Sequence, residues 1–417
     1  MAIVRAGVSA AAAGGLLERA LAAPGALPEG ALCVIAAGKA APSMAEAARR
    51  LLGSRIRSGL LVCAAPRDVP SPFEAIVGGH PMPTPGSELA GRHALGLAGS
   101  VRADETLVVL LSGGASALMA VPAPDVTLDD KRATTGHLLR AGADIHALNA
   151  VRKHLSAIKG GWLAASVPGA CRAFAISDVV GDDLSAIASG PTVADSSTFD
   201  DALDVLRRFG GDAVYPRAVV ARLAAGVCGN VPETPKPGDR RLARAASVVI
   251  GSRRDAMNGA AREAEWLGYH VARIDDPVVG QARLAAPSHL RAVVARAAGA
   301  ARPACIVSSG ETTVRVTGSG KGGRNQEFAL ASAALVASLG GAAAVASVGT
   351  DGVDGPTDAA GAMVDTTTAK RARAAGLSPD AFLDDNNAYA FFAALGDLIH
   401  TGPTDTNVGD LQIILLA

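Results

Sequence analysis

The hydrophobic positions of the chain fall into short runs, each followed by a glycine or polar turn and then a helical stretch. Ala31–Ala36 (ALCVIA), Leu60–Cys63, Thr106–Leu111 (TLVVLL) and Cys171–Ile176 carry little polar alternation. Strands covered by helices on both faces read this way. The turns behind these runs are Gly38, Ser112-Gly113-Gly114 and Ser177-Asp178. The alternation predicts an α/β fold of two domains with mostly parallel, Rossmann-like sheets. Open sheets of that kind bind ligands at the carboxyl ends of their strands, so these turns are where chemistry is expected.

One segment breaks the rhythm. Gly229–Arg240 (GNVPETPKPGDR) carries three prolines and reads as a linker. It sets an expected N-terminal domain over 1–235 and a C-terminal domain over 240–417, whose last few residues pack back on the first. Beyond the linker the alternation restarts with Ser247–Ile250, a helix through Gly268 and a strand over Tyr269–Ile274. Residues 1–23 read as one amphipathic helix and not a signal peptide, because Glu18 and Arg19 interrupt the apolar run.

Composition narrows the picture. The length of 417 residues suits two domains. Aromatic residues are only 3% of the chain, so Ala, Val, Leu and Ile must build the core. Lys plus Arg and Asp plus Glu are equal at 39 each, which argues against nucleic acid as a partner. No window reaches the roughly 20 apolar residues of a membrane span, so no membrane partner is expected. The five scattered cysteines read as buried thiols of a cytoplasmic protein. The eight histidines show no zinc spacing.

Several turns carry charge. Gly318, Gly320 and Gly323 form a G-x-G-x-x-G spacing between a β-like run, Thr312–Thr317, and an alanine-rich helical run. Glycine amides and a helix start favour an anion there, and Lys321 and Arg324 add charge. A dinucleotide site would need an acid about 20 residues on, but residues 331–348 are uncharged. A P-loop would need Ser or Thr after Lys321, and Gly322 stands there. The turn is either a non-standard phosphate or carboxylate cradle or a plain turn. Lys39 lies between a strand and a helix in AAGKAAPS, and Ser112, Gly113, Gly114 and Ser116 form a small-residue turn suited to phosphate. NAVRKHLSAIKGGWLA reads as a helix with Arg152, Lys153 and Lys159 on a basic face or at a substrate. Its Ser156-x-x-Lys159 echoes an acyl-transfer nucleophile, but the companion S-D-N and K-T-G elements are absent. Asp178, Asp182 and Asp183 follow one strand, and Asp351, Asp354 and Asp358 follow another. Two acidic turns beside cationic ones point to Mg2+ held together with phosphate oxygens.

These segments, with GGHPMPTPGS, SSGETTVRV, GGRNQE, TDGVDGPTDAAG and TGPTDTNVGDLQI, resemble the glycerate 2-kinase family with a MOFRL C-terminal domain. They occur in the family's order over nearly the whole chain. The family's usual SGGGSAL has Ala115 as its fourth residue here, and its usual T-G-T has Asp405 in the middle. Members have often been labelled hydroxypyruvate reductases. The resemblance implies ATP-dependent phosphorylation of D-glycerate at the 2-hydroxyl, in a cleft between two α/β domains whose closure excludes water. It leaves room for a homodimer. The family's invariant lysine and arginine fall on Lys39 and Arg324, which become the expected catalytic residues. Ser112, Gly113, Gly114, Ser116, Lys321, Gly322 and Gly323 are then the expected nucleotide-phosphate contacts. Lys153 and Asn325 are expected substrate contacts, and Asp178, Asp182, Asp351 and Asp354 expected Mg2+ ligands or, for one of them, the base.

Overall fold

The apolar runs become strands in a computed structural model, which describes residues 1–417. The chain forms two units, residues 13–250 and residues 1–12 together with 251–417. The first unit contains Leu32–Ala37 (β1), Ile56–Cys63 (β2), Phe73–Val77 (β3), Thr106–Leu111 (β4), Ala170–Ile176 (β5) and Ala245–Gly251 (β6). They make one sheet in the order β3-β2-β1-β4-β5-β6. From β3 to β5 every pairing is parallel. All residues of β1 and β4 are buried, as expected of strands with a helix layer on each face. The chain leaves β1 toward β2 and β3, then crosses to β4 on the other side. The switch in direction therefore lies between the carboxyl ends of β1 and β4. A second apolar cluster, with Leu148, Val151, Phe199, Leu203 and Leu223, packs the helices Ile145–His154, Phe199–Arg208 and Arg217–Val227 together.

The second unit contains His270–Gln281 (β7), Ala304–Thr313 (β8), Ala343–Gly349 (β9), Gly361–Asp365 (β10), Leu398–Ile399 (β11) and Asp410–Leu416 (β12). Their order is β11-β10-β9-β12-β8-β7. Only β7 and β8 pair in parallel; the remaining pairings are antiparallel. The α/β class and the two sheets are as predicted, but this sheet is not mostly parallel. Parallel neighbours need a crossover of a dozen or more residues, usually a helix. β9 and β10 are instead joined by the helix-free loop 350–360, which turns the chain back on itself.

Two boundary expectations are corrected. The proline segment is not the division, because the chain runs on from it into β6 of the first sheet. Thr234 Oγ1 donates to Asp195 at 3.0 Å and Pro235 O accepts the Asp195 amide at 2.8 Å, which pins the segment to the first unit. Residues 1–23 form two helices, Ala2–Ala10 and Ala13–Leu21, that go to different units. The C-terminal strand β12 lies between β9 and β8, and its Leu411 packs against Gly7 of the first helix. Among the cysteines, Cys228 is exposed and the other four are buried. No helix is long and apolar enough to cross a membrane.

Candidate functional site

In the first unit the turns after β1 and β4 are locked together. Gly38 has φ +124°, and a Cβ there would lie 2.2 Å from Ser112 Oγ, so no other residue fits the approach. The Lys39 amide donates to Gly113 O at 2.8 Å, and the Ala40 amide to Ser112 Oγ at 3.0 Å. Gly114, left-handed at φ +86°, opens the short helix Ala115–Leu118. A Cβ on Gly114 would stand 3.0 Å from the His80 ring and 3.6 Å from Lys39 Cγ. Lys39, His80 and the glycine turn therefore share the switch point. The Ala115, Ala117 and Leu118 amides close the turn onto the carbonyls of Ser112 and Gly114, and the Gly113 and Gly114 amides take no part in that closure.

A buried polar chain supports the turn from behind. Lys159 Nζ donates to Ser116 O at 2.8 Å and to Ser116 Oγ at 2.9 Å. Ser116 Oγ is 2.9 Å from Ser189 Oγ, which donates to Asn149 Oδ1 at 2.9 Å. Ala188, Ser189 and Gly190 are all left-handed, with φ of +53°, +60° and +61°. Left-handed backbone at two residues other than glycine is strain of the kind that collects at functional sites. Burial, with Lys131 and Arg152 nearby, holds the Lys159 pKa well below that of an ordinary lysine.

In the second unit Arg324 starts the helix Arg324–Ala337. Its Nε donates to both carboxylate oxygens of Asp410 at 2.9 Å, and its Nη1 to Glu311 Oε1 at 3.2 Å. Burial alone would lower its pKa, but Asp410 and Glu311 raise it above the usual arginine value. Asn325 Nδ2 donates to Asp410 at 2.9 Å and to Asp354 at 3.2 Å. Asp354 also accepts the amides of Asn325 and Gln326, at 3.0 and 2.8 Å. It thus caps the helix from a distant loop, since Gly323 has no side chain to do so. Burial pushes the Asp354 carboxyl up to about 7 despite these donors. Burial likewise raises Asp410, with Arg324 opposing.

This geometry redistributes the predicted roles. The glycine turn does not follow a strand directly, because β8 ends at Thr313 and a loop over 314–323 intervenes. That loop spends its amides on its own unit. Asn386 Oδ1 accepts from Thr317 and Gly318, Asp385 Oδ1 from Ser319, Asp385 O from Gly320, and Asn387 Oδ1 from Lys321. Gly318 and Gly320 allow this close contact, since a Cβ on either would fall 2.3 Å from residues 385 and 387. The G-x-G-x-x-G spacing fits the loop to the protein and leaves only Gly322 and Gly323 outside these bonds. The sequence signal was the acceptor-rich run Asp384-Asp385-Asn386-Asn387. Lys321 extends over the Tyr389 ring at 5.1 Å.

Lys153 is buried and pairs with the buried Asp195 at 3.1 Å. Asn325, 1% exposed, is hydrogen-bonded to Asp410 and Asp354. Both carboxylate oxygens of Asp354 accept hydrogen bonds at the helix start. Asp182 sits in a left-handed turn, and Asp351 accepts the Val353 amide. No group of three or more His, Cys, Asp or Glu side chains could hold a metal. His80, Glu311 and Asp410 were not singled out from sequence; isolated acids and histidines give no local pattern.

A parallel sheet in this strand order, with a lysine and a glycine turn at its switch point, defines an open α/β protein of the kind that takes its ligands there. The chain matches a domain of unknown function (DUF4147) over residues 1–224 and the MOFRL family over residues 304–410. It is 37% identical to a glycerate 2-kinase of Pyrococcus horikoshii, covering 93% of this chain and 88% of that one. It is 39% identical to a D-glycerate 2-kinase of Thermotoga maritima over 92% of this chain and 90% of the other. At 40% identity it also resembles an Agrobacterium vitis protein provisionally named a hydroxypyruvate reductase, over 93% and 88% of the two chains. The crystal structure of the Thermotoga maritima glycerate kinase superimposes with a TM-score of 0.88 at 36% identity, covering 100% of this chain and 98% of that one. The chain belongs to the glycerate 2-kinase family of enzymes built from these two modules.

Proposed function

We propose that the protein transfers the γ-phosphoryl group of ATP to the 2-hydroxyl of D-glycerate, giving ADP and 2-phosphoglycerate. The observation that carries this reading is the likeness, over nearly its full length, to a D-glycerate 2-kinase. When bound, ATP with Mg2+ supplies the phosphoryl group and part of its counter-charge. Phosphoryl transfer then asks the protein mainly for positioning and charge neutralisation. Lys39 neutralises charge on the transferred group, and the Gly113 and Gly114 amides donate to its oxygens. Ser112 keeps those elements in register. Ser116 and Lys159 brace the turn. Arg324 is oriented by Asp410 and Glu311, which leaves Nη2 for an anionic group. Asp178 and Asp182, after β5, would hold the ion together with phosphate oxygens.

The purified protein with ATP, Mg2+ and D-glycerate should release ADP. The phosphorus signal of the product should split into a doublet from the single C2 proton. A triplet would mean transfer to the 3-hydroxyl. No ADP, with consumption of reduced nicotinamide on hydroxypyruvate, would replace the kinase by the reductase that the Agrobacterium vitis relative's name raises. Lys39→Ala should lower kcat by about a hundredfold or more, as loss of one transition-state donor does. Turnover near wild type would remove Lys39 from the mechanism.

A further inference from the structure

One cation of the first unit is left without a task. Arg152 lies on the helix Ile145–His154, three residues beyond Asn149 and so on a neighbouring part of the same face. Asn149 accepts from Ser189 Oγ and donates to Ala186 O, which directs that face toward the left-handed turn and the Ser116–Lys159 contact. Arg152 is half-buried, and burial alone moves its pKa, down to about 10, with no acid acting on it. Lys131 and Lys159 feel its charge. Lys131 Nζ donates to the Leu155 carbonyl at 2.9 Å, and Lys159 to Ser116 and Ala188. Three basic side chains thus gather; Glu88 acts on Lys131, but no acid acts on Arg152 or Lys159. A buried lysine can shed its proton, but the Arg152 guanidinium keeps its charge, and desolvating it without an opposite charge is costly, so it calls for an anion from outside. Arg324, by contrast, already holds two carboxylates.

We infer that Arg152, backed by Lys159 and Lys131, is the receptor for the carboxylate of the acceptor acid. The guanidinium fork matches a carboxylate bidentately. Lys159 ties this receptor to Ser116, two residues after Gly114, so the acid is held beside the glycine turn. The 2-hydroxyl is on the carbon next to the carboxylate, whereas the 3-hydroxyl is one bond further from the anchor. Holding the acid by this end therefore selects position 2. The inference takes its ligand from the proposed kinase reaction, but its charge argument stands without it.

The test compares wild type, Arg152→Gln and Arg152→Lys for D-glycerate and ADP binding by calorimetry, and for kcat/KM with D-glycerate and with glycerol. Arg152→Gln should lose about a hundredfold or more in kcat/KM for D-glycerate, chiefly through KM, with glycerol turnover and ADP affinity changed less than about threefold. Arg152→Lys should recover only part of the loss, since an ammonium lacks the fork. Equal losses on glycerate and glycerol, or loss of ADP in place of glycerate, would overturn the assignment. If Arg152→Gln does not fold, the wild-type ratio decides: glycerol used as well as glycerate means no carboxylate receptor. Wild type that binds D-glycerate through Arg152 but does not phosphorylate it keeps the receptor and sinks the kinase reading. Wild type that binds no hydroxy acid sinks the receptor.

Discussion

Lys153 and Asp195 are buried together, and Asp195 also accepts from Ser197 and Thr234. Removing the ammonium would strand a carboxylate in the core, which typically costs about 3–5 kcal/mol. Lys153→Met should show that loss in urea denaturation, with KM for the acid unchanged. A shifted KM at full stability would return Lys153 to the substrate. Asp354 makes a different prediction. Its carboxyl is raised from 3.8 to about 7 in the folded state, so the folded chain holds a proton that the unfolded chain releases. This contribution is full below the unfolded pKa and is lost as pH rises through the folded one. Stability of the second unit should therefore fall between about pH 4 and 7, and Asp354→Asn should flatten that fall. An identical pH profile in the variant would mean the carboxyl does not titrate there. At this scale the sequence could mark Asp354 and Lys153 as charged residues near turns. It could not say that each had a partner 28 to 42 residues away.

The supporting elements explain which local readings succeeded. β1 and β4 were legible because strands buried on both faces leave unbroken apolar runs, and β5 because only Arg172 interrupts its run; the turns behind β1 and β4 carry Lys39 and the Ser112 glycines. The stretch read as one basic helix instead ends at His154, and Gly160 and Gly161 adopt φ of +57° and +86°. Lys159 thus leaves the helix and reaches Ser116. The paired glycines were the available signal, but helical spacing of the cations outweighed them. The turn after β1 offers the sharpest element-level test. Gly38→Ala adds a Cβ into Ser112 at an unfavourable φ, so the β1 and β4 turns must part. Activity should drop by about a hundredfold or more, with a stability loss of about 2 kcal/mol or more. Activity near wild type would show that the contact between these turns does not position Lys39.

For the molecule as a whole, two sheets were readable from the repeated strand–helix rhythm, but the path of the chain between the units was not. Residues 1–12 belong with 251–417, across the whole of the first unit in sequence. Their amphipathic pattern fits almost any apolar surface, and what specifies the partner is shape. Gly259 on the helix Arg253–Trp266 lies against Ala6 and Ala10, and Gly7 lies against Ala256, Ala260 and Leu411. A Cβ on Gly259 would come within 2.3 Å of Ala10, so both glycines are needed for the two helices to touch. Ile3 and Val4 are buried, and Thr406 Oγ1 donates to Ala11 O at 2.6 Å. Losing two buried aliphatic side chains costs about 3–6 kcal/mol before any hydrogen bond is counted. A chain lacking residues 1–12 should therefore exchange amide hydrogens faster in Arg253–Trp266 and in β12, while β1 and β4 keep their protection. Gly259→Leu should reproduce that pattern in the full-length chain, because it pries the same helices apart. Protection lost equally from both sheets would mean that the first helix stabilises the two units together, and the division at residue 12 would be wrong.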